Sequence, residues 1–341
     1  MVKSKEREDG PDAAELTAAG LAQSFVIDRD EQLATRAAWL YFVAGLTQAD
    51  IGRKLGLTRI RVNRLLAYAR KLGLVQIRIS GRLSGCVELE ERLKDRFRLA
   101  EAIVVPTPPE QSLVPHVIAA AAGSALASRL KDGMSVGVGW GRTLRLSLQS
   151  VPRRQMTSLS VVSLLGGLTR GSAMNPHETA SHLADLLDAQ CYLIAAPAMT
   201  DSEATKTVLM NQSTLKEVFD RSEKVDLAFL SVGELTLSNT MMRVGLIGAS
   251  DVESLRKAGA VGDICVHWID AMGRIIDHPL NSRAMALAPE KLKSIPCVIL
   301  ASGGYNKIAP VHGALHGGMV DVLVTDEETA AGVLALGGRK S

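Results

Sequence analysis

The sequence predicts an α/β protein in two parts: a small all-α module, then a larger unit built on a mostly parallel sheet. Three observations predict it. At 341 residues the chain is too long for one ordinary core. Its 47% hydrophobic content with only 4% aromatics describes an aliphatic interior, the composition of helices packed over buried parallel strands. The pattern also changes along the chain, from helical periods before the segment GRLSG (81–85) to short apolar runs alternating with helical stretches after it.

Residues 1–30 mix charge, Gly and Pro without a sustained period and are expected to form a flexible segment. An apolar helical pattern follows in QLATRAAWLYFVAGL, 32–46, closed by Gly45. Thr47 then caps a second helix from Gln48 to Leu55. Gly56 breaks it, and Thr58 caps a third that runs to about Leu72 before Gly73. LVQIRIS, 74–80, alternates apolar and polar residues like a short hairpin strand and reads as a wing on this module. The expected division is therefore a flexible segment 1–30, a winged helical module 31–82, a linker 83–90 and the large unit 91–338.

In the large unit, CVELEERLKDRFRL (86–99) reads as a helix, EAIVV (101–105) as a strand and 111–131 as a long Ala-rich helix. Further strands are expected at 134–139, 158–165, 191–197, 225–233, 260–269, 296–304 and 320–326, with helical stretches between them. Cys86, Cys191, Cys265 and Cys297 stand far apart, as reduced thiols of a cytoplasmic protein would. The start, MVKSKEREDGPDAAEL, lacks the apolar core of a secretory signal, and no stretch approaches the roughly 18 apolar residues of a membrane span.

Charge is uneven. Nine basic residues and no Asp or Glu lie between Ile51 and Val87; removing those nine from the net +3 leaves −6 for the rest. A basic module on an acidic body is the footprint of nucleic-acid binding, whereas a merely solvated face mixes both signs. Placing Val62 at the centre of the third helix's buried face brings Leu65, Leu66 and Ala69 into one apolar stripe. Ile60, Asn63, Arg64 and Ala67 then point away from it. A free face offering Asn and Arg suits a major groove, where Arg pairs with guanine and Asn with adenine. Gly52, Gly56 and the apolar Ile51, Leu55, Leu57, Val62 and Leu65 meet the needs of a helix-turn-helix: close helix contact, a tight turn and a small shared core. Arg53, Thr58, Arg59, Arg61, Asn63 and Arg64 are the candidate contacts to double-stranded DNA, with Arg78 and Arg82 of the wing on phosphates.

Other motifs fail on spacing. SVGVGWGRTL, 135–144, is a strand ending in a glycine loop that opens a helix, suited to an anionic or hydroxyl-rich ligand. Its GxGxG is not the dinucleotide fingerprint GxGxxG, and no Asp or Glu occurs from Gly133 to His177 to hold a ribose. HETASH, 177–182, sets its histidines about 140° apart on a helix, so they do not share a metal. HGALH, 312–316, lacks a third ligand. No catalytic residue, metal or cofactor is expected.

The winged module followed by VGVGWGRTL, LLGG, AVGDICVHWIDAMGRIID and ASGGYNKIAPVHGALHGGMVDVLVTDE resembles the SorC family of bacterial sugar-responsive transcriptional regulators, from about Gln32 to Leu336. The resemblance implies a Rossmann-like effector domain related to sugar-phosphate isomerases and glucosamine-phosphate deaminases but used for binding, in a tetramer or dimer of dimers. It implies a ligand over the strand ends. Gly139, Trp140, Gly141, Arg142 and Thr143 would hold one end, with Gly166 and Gly167 alongside. Asn175 and Asp263 would bind hydroxyls, and Lys307 would reach in from another strand end. Leu165 stands where phosphosugar-sensing members tend to carry Arg, which argues against a phosphate on the effector, although Arg142 and Lys307 could serve one.

The sequence thus reads as a cytoplasmic, homotetrameric regulator of a carbohydrate or polyol utilisation operon, its operator affinity switched by a small sugar or polyol. The alternative is a sugar-phosphate isomerase or deaminase with an appended DNA-binding arm. That chemistry needs a positioned general base and acid, for which Asp263 and the histidines are the candidates.

Overall fold

The computed structural model describes residues 29–75, 83–169 and 175–336. The expected flexible segment up to residue 28, most of the expected wing strand, and Arg78 and Arg82 lie outside these residues. The chain divides into two units, Met1–Gln76 and Ile77–Ser341.

The first unit holds α1 (Arg29–Phe42), α2 (Gln48–Leu55) and α3 (Arg59–Lys71). The first helix lies N-terminal of its expected 32–46 span, because the chain leaves the helix before Gly45, which sits in the left-handed region at φ 66°. Thr47 and Thr58 cap the next two helices as expected, their hydroxyls accepting from Asp50 N and Arg61 N at 3.2 Å each. Gly56 ends α2 in the left-handed conformation at φ 66°. A Cβ on Gly52 would meet the carbonyl oxygen of Leu57 at 2.7 Å, so only glycine lets the turn fold back this closely. Ala34, Ala37, Leu40, Ile51, Val62, Leu65, Leu66 and Ala69 form the unit's core.

In the second unit α4 spans Leu83–Phe97. The linker expected at 83–90 is therefore helical. Its apolar positions Cys86, Leu89, Leu93 and Phe97 recur at helical spacing against the core, and that packing carries the helix from Leu83 onward. Next come β1 (Glu101–Val105), α5 (Val114–Ala127), β2 (Ser135–Val138), α6 (Arg142–Ser147), β3 (Ser160–Ser163), α7 (Pro176–Leu187) and β4 (Gln190–Tyr192). The long Ala-rich helix is shorter than expected, opened by a 3-10 turn at Gln111–Leu113. Then follow α8 (Glu203–Met210), α9 (Ser213–Ser222), β5 (Leu227–Leu230), β6 (Val232–Glu234), α10 (Thr240–Arg243), α11 (Ala249–Lys257), β7 (Gly262–Ile264) and β8 (His267–Ile269). The chain closes with α12 (Pro289–Leu292), β9 (Val298–Ala301), α13 (Ile308–His316), β10 (Val322–Asp326) and α14 (Glu327–Ala335).

Among the described residues, seven strands form one sheet in the order β1-β10-β9-β5-β2-β3-β4, every pair parallel. The inner strands β10, β9, β5, β2 and β3 are buried on both faces, each face covered by its own core cluster, as their apolar runs require, while the edge strand β4 exposes Gln190 and Cys191. From β2 the chain winds outward through β3 and β4, whereas from β5 it winds the other way through β9 and β10. The direction reverses between β2 and β5, and the crevice outside the carboxyl ends at such a reversal is where ligands bind in open α/β sheets.

Two expected strands are broken. The run 225–233 is split by Ser231 into β5 of the large sheet and β6 of a small antiparallel sheet β6-β7-β8. The run 260–269 is not one strand but the β7–β8 hairpin, turned by Cys265 at φ 49° and Val266 at φ 54°. A two-residue turn with both residues left-handed normally calls for Asn or Gly; here two buried apolar residues hold it by packing.

Candidate functional site

The third helix presents the face its sequence predicts. Val62, Leu65, Leu66 and Ala69 are buried, while Arg59, Ile60, Asn63, Arg64 and Ala67 are exposed. The six candidate DNA contacts fall into two groups. Asn63, Arg64 and Arg59 point outward at the start of α3. Thr58 is occupied in capping it, Arg53 pairs with Asp50 of its own helix, and Arg61 donates to Asp30 of α1 at 2.6 Å. Asp50 adjoins the acid-free window and Asp30 lies well upstream of it, so counting charge within that window could not reveal either pair.

The carboxyl ends of the large sheet carry the loops that matter in the second unit. Gly139, after β2, donates its N–H to Phe229 O at 2.9 Å, and a Cβ there would press on Leu230 at 2.9 Å. Gly141 stands at φ 131° and packs beside Ser231, its own carbonyl accepting the first helical bond of α6 from Arg145 N at 3.1 Å. The N–H groups of Gly141, Arg142 and Thr143 have no acceptor among the described residues, as expected in a first helical turn. Arg142 is exposed, whereas Trp140 is buried, so that loop offers its backbone and not its indole ring.

The same β5–β6 segment brings in three charged residues. Lys307, at the end of the 3-10 turn Tyr305–Lys307, donates its Nζ to Val232 O at 2.7 Å and pairs with Glu234. Asp263 of β7 stands in register with Gly233 of β6. Asp263 is only 4% exposed, and burial pushes its carboxyl up to about 7. Nearby Glu234 adds to that rise, while Lys307 and a hydrogen bond from the Val266 backbone oppose it. Lys307 is held in place from β10. The buried Asp326 carboxylate accepts from Gly304 N at 2.9 Å, Thr107 Oγ1 at 2.7 Å and Thr329 Oγ1 at 2.6 Å, fixing the loop that leads to the lysine.

The geometry thus unites Gly139–Thr143, Asp263 and Lys307, and adds Ser231, Glu234 and Asp326, which sequence reasoning missed. Glu234 was hidden because the apolar run ahead of it looked like one continuous strand. The other candidates are engaged differently. Gly166 N and Gly167 N bond to Met285 O and Ala196 O at 2.8 Å each, and a Cβ on Gly166 would strike the Ala196 and Pro197 carbonyls at 2.5 Å. These glycines serve close packing. Asn175 caps α7, its Oδ1 accepting from His177 N at 3.2 Å and Leu168 N at 3.3 Å and its Nδ2 donating to Leu168 O at 3.1 Å. Among the described residues, three of its four hydrogen-bonding positions are engaged. Leu165 is fully buried and paired with Ala286, its side chain part of the core.

Among the described residues, no group of three His, Cys, Asp or Glu could hold a metal ion, and no helix is long and apolar enough to cross a membrane. The His312 and His316 rings lie 5.8 Å apart on α13, tilted by 41° to each other.

A helix-turn-helix with an exposed basic face, joined in one chain to a doubly wound sheet with polar loops at its switch point, defines a ligand-responsive transcriptional regulator. Comparison with known proteins agrees. Residues 81–335 match the "Putative sugar-binding domain" family, and residues 39–72 match region 4 of sigma-70. The chain is 32% identical to the erythritol catabolism regulatory protein EryD of Brucella abortus, covering 90% of this chain and 98% of that one. It is 30% identical to the deoxyribonucleoside regulator of Bacillus subtilis, covering 89% and 98%. The full-length sorbitol operon regulator SorC of Klebsiella pneumoniae superposes with a TM-score of 0.68 at 27% identity, over 89% of this chain and 99% of that structure. The chain belongs to the SorC-type family of sugar-binding transcriptional regulators.

Proposed function

We propose that this protein controls a sugar or polyol utilisation operon from the cytoplasm, as a homotetramer, without catalysing a reaction. Arg59, Asn63 and Arg64 read operator bases, and Arg53 and Arg61 contact phosphates after leaving Asp50 and Asp30. The effector lies over the strand ends. The Gly141–Thr143 amides and Thr143 hydroxyl hold one end, and Asp263, Glu234 and Lys307 hold hydroxyls at the other. The names of relatives support a polyol or a sugar-containing compound as the ligand class: one is described by erythritol, another by deoxyribonucleosides.

The observation that carries this reading is the Glu234–Lys307 pair beside the buried Asp263. Two carboxyl groups against one ammonium suit neutral hydroxyls, which need matched donors and acceptors, and disfavour a phosphate dianion. We further propose that the effector is unphosphorylated. A thermal-shift screen of sugars, polyols and their phosphates tests this, because a ligand that favours the folded state raises its melting temperature. An unphosphorylated compound should give the largest shift; a screen led by phosphate esters would reverse the assignment.

The enzyme reading has one specific observation behind it: Asp263, held near 7 beside Glu234, has the acidity of a general acid or base. Turnover of aldose, ketose or amino-sugar phosphates by the full chain would establish it.

A further inference from the structure

Ile60 is 69% exposed in the first turn of α3. The larger apolar side chains further along that helix, Val62, Leu65 and Leu66, are buried in the module's core. At helical spacing Ile60 stands over Asn63, Arg64 and Ala67, so a branched aliphatic side chain interrupts an otherwise polar and small-residue face. It adds nothing to the core of this unit, and in water it forgoes the favourable burial of its methyl groups.

The surrounding charge selects what covers it. Arg59 and Arg64 flank Ile60 on the exposed face, which suits a polyanion and disfavours an apolar protein surface. On the major-groove edge of duplex DNA the one apolar group is the C5-methyl of thymine. The first turn of the second helix is also the part of a helix-turn-helix that reaches base edges.

We propose that Ile60 is a specificity-determining residue that packs on the 5-methyl group of an operator thymine, beside the bases read by Asn63 and Arg64. The inference rests on the proposal that α3 enters the major groove.

The test uses the full chain and duplexes it enriches from a random pool. Each thymine of an enriched duplex is replaced singly by deoxyuridine, which removes only the methyl group. Binding is then measured for the wild type and for Ile60→Ala, whose melting temperature should be unchanged because the side chain is exposed. At one position the uracil duplex should bind the wild type about fourfold more weakly, the value of burying one methyl-sized group. Ile60→Ala should bind both duplexes alike, near the wild type's uracil value. Wild-type binding indifferent to every replacement, or an Ile60→Ala variant as sensitive as the wild type, overturns the assignment. A pool from which no sequence is enriched overturns the groove-reading proposal itself, and that failure shows before any uracil duplex is made.

Discussion

Gly233 and Asp263 face each other across the β6–β7 ladder so closely that the Asp263 carboxylate fills the space a Cβ on Gly233 would need. The absence of a side chain on one strand is what lets a buried acid lie flat on the other, next to Lys307 and Glu234. Gly233→Ala should therefore displace Asp263 and cost about 1–3 kcal/mol of stability, as overpacking in a filled interior does. It should also remove the effector's thermal shift while leaving ligand-free DNA binding unchanged. Melting curves with and without ligand check this; a variant that responds like the wild type would mean the carboxylate's place is not important.

Two buried groups give opposite pH dependences. Asp263 is raised to about 7 in the fold, so its contribution is complete below the unfolded value of 3.8 and is lost as pH rises to 7. His267 is lowered to about 4 by burial, its Nδ1–H donating to Cys265 O at 2.8 Å, so its contribution is complete above 6.5 and is lost as pH falls to 4. Between pH 4 and 6.5 the two slopes oppose each other. Relative to the wild type, Asp263→Asn should gain stability as pH rises through that window, and His267→Asn should gain it as pH falls. Denaturant midpoints at several pH values would show it, and curves parallel to the wild type would contradict both.

On the DNA side, Asn63→Ala and Arg64→Ala should each weaken specific binding by roughly 1–3 kcal/mol if they read bases. Arg53→Ala should weaken operator and random DNA alike. Gel shifts on the two duplexes distinguish these outcomes, and unchanged operator affinity in both base-reading variants would remove α3 from the groove.

The helix-turn-helix was legible in the sequence because local chemistry decides it. Thr47 and Thr58 can cap, Gly56 can turn left-handed, and Val62, Leu65 and Leu66 repeat at helical spacing. The parallel sheet was legible as well, since strands buried on both faces read as apolar runs. The second sheet was not. Ser231 breaks a strand without any turn residue, and Cys265 and Val266 turn a hairpin that packing alone enforces. The family resemblance implied a hydroxyl-binding role for Asn175; what sequence does not show is its hydrogen-bond partners, which lie in the Leu168 backbone and the start of α7.

The effector's charge is the next point of test. Calorimetry with matched pairs of sugar or polyol and phosphate ester should give tighter binding of the unphosphorylated member of each pair, because Lys307 is already neutralised by Glu234. Consistently tighter phosphate esters would assign the anion to Arg142 and Lys307.

The most direct test of the account joins its two halves. The Kd of the full chain for an enriched duplex is measured with and without the unphosphorylated compound giving the largest thermal shift. The wild-type Kd should change at least about fivefold, the low end of allosteric coupling. Asp263→Asn should bind the duplex like the unliganded wild type and hold that Kd when the compound is added. A wild-type Kd unmoved by a compound that demonstrably binds, or an Asp263→Asn variant that responds in full, would contradict the account.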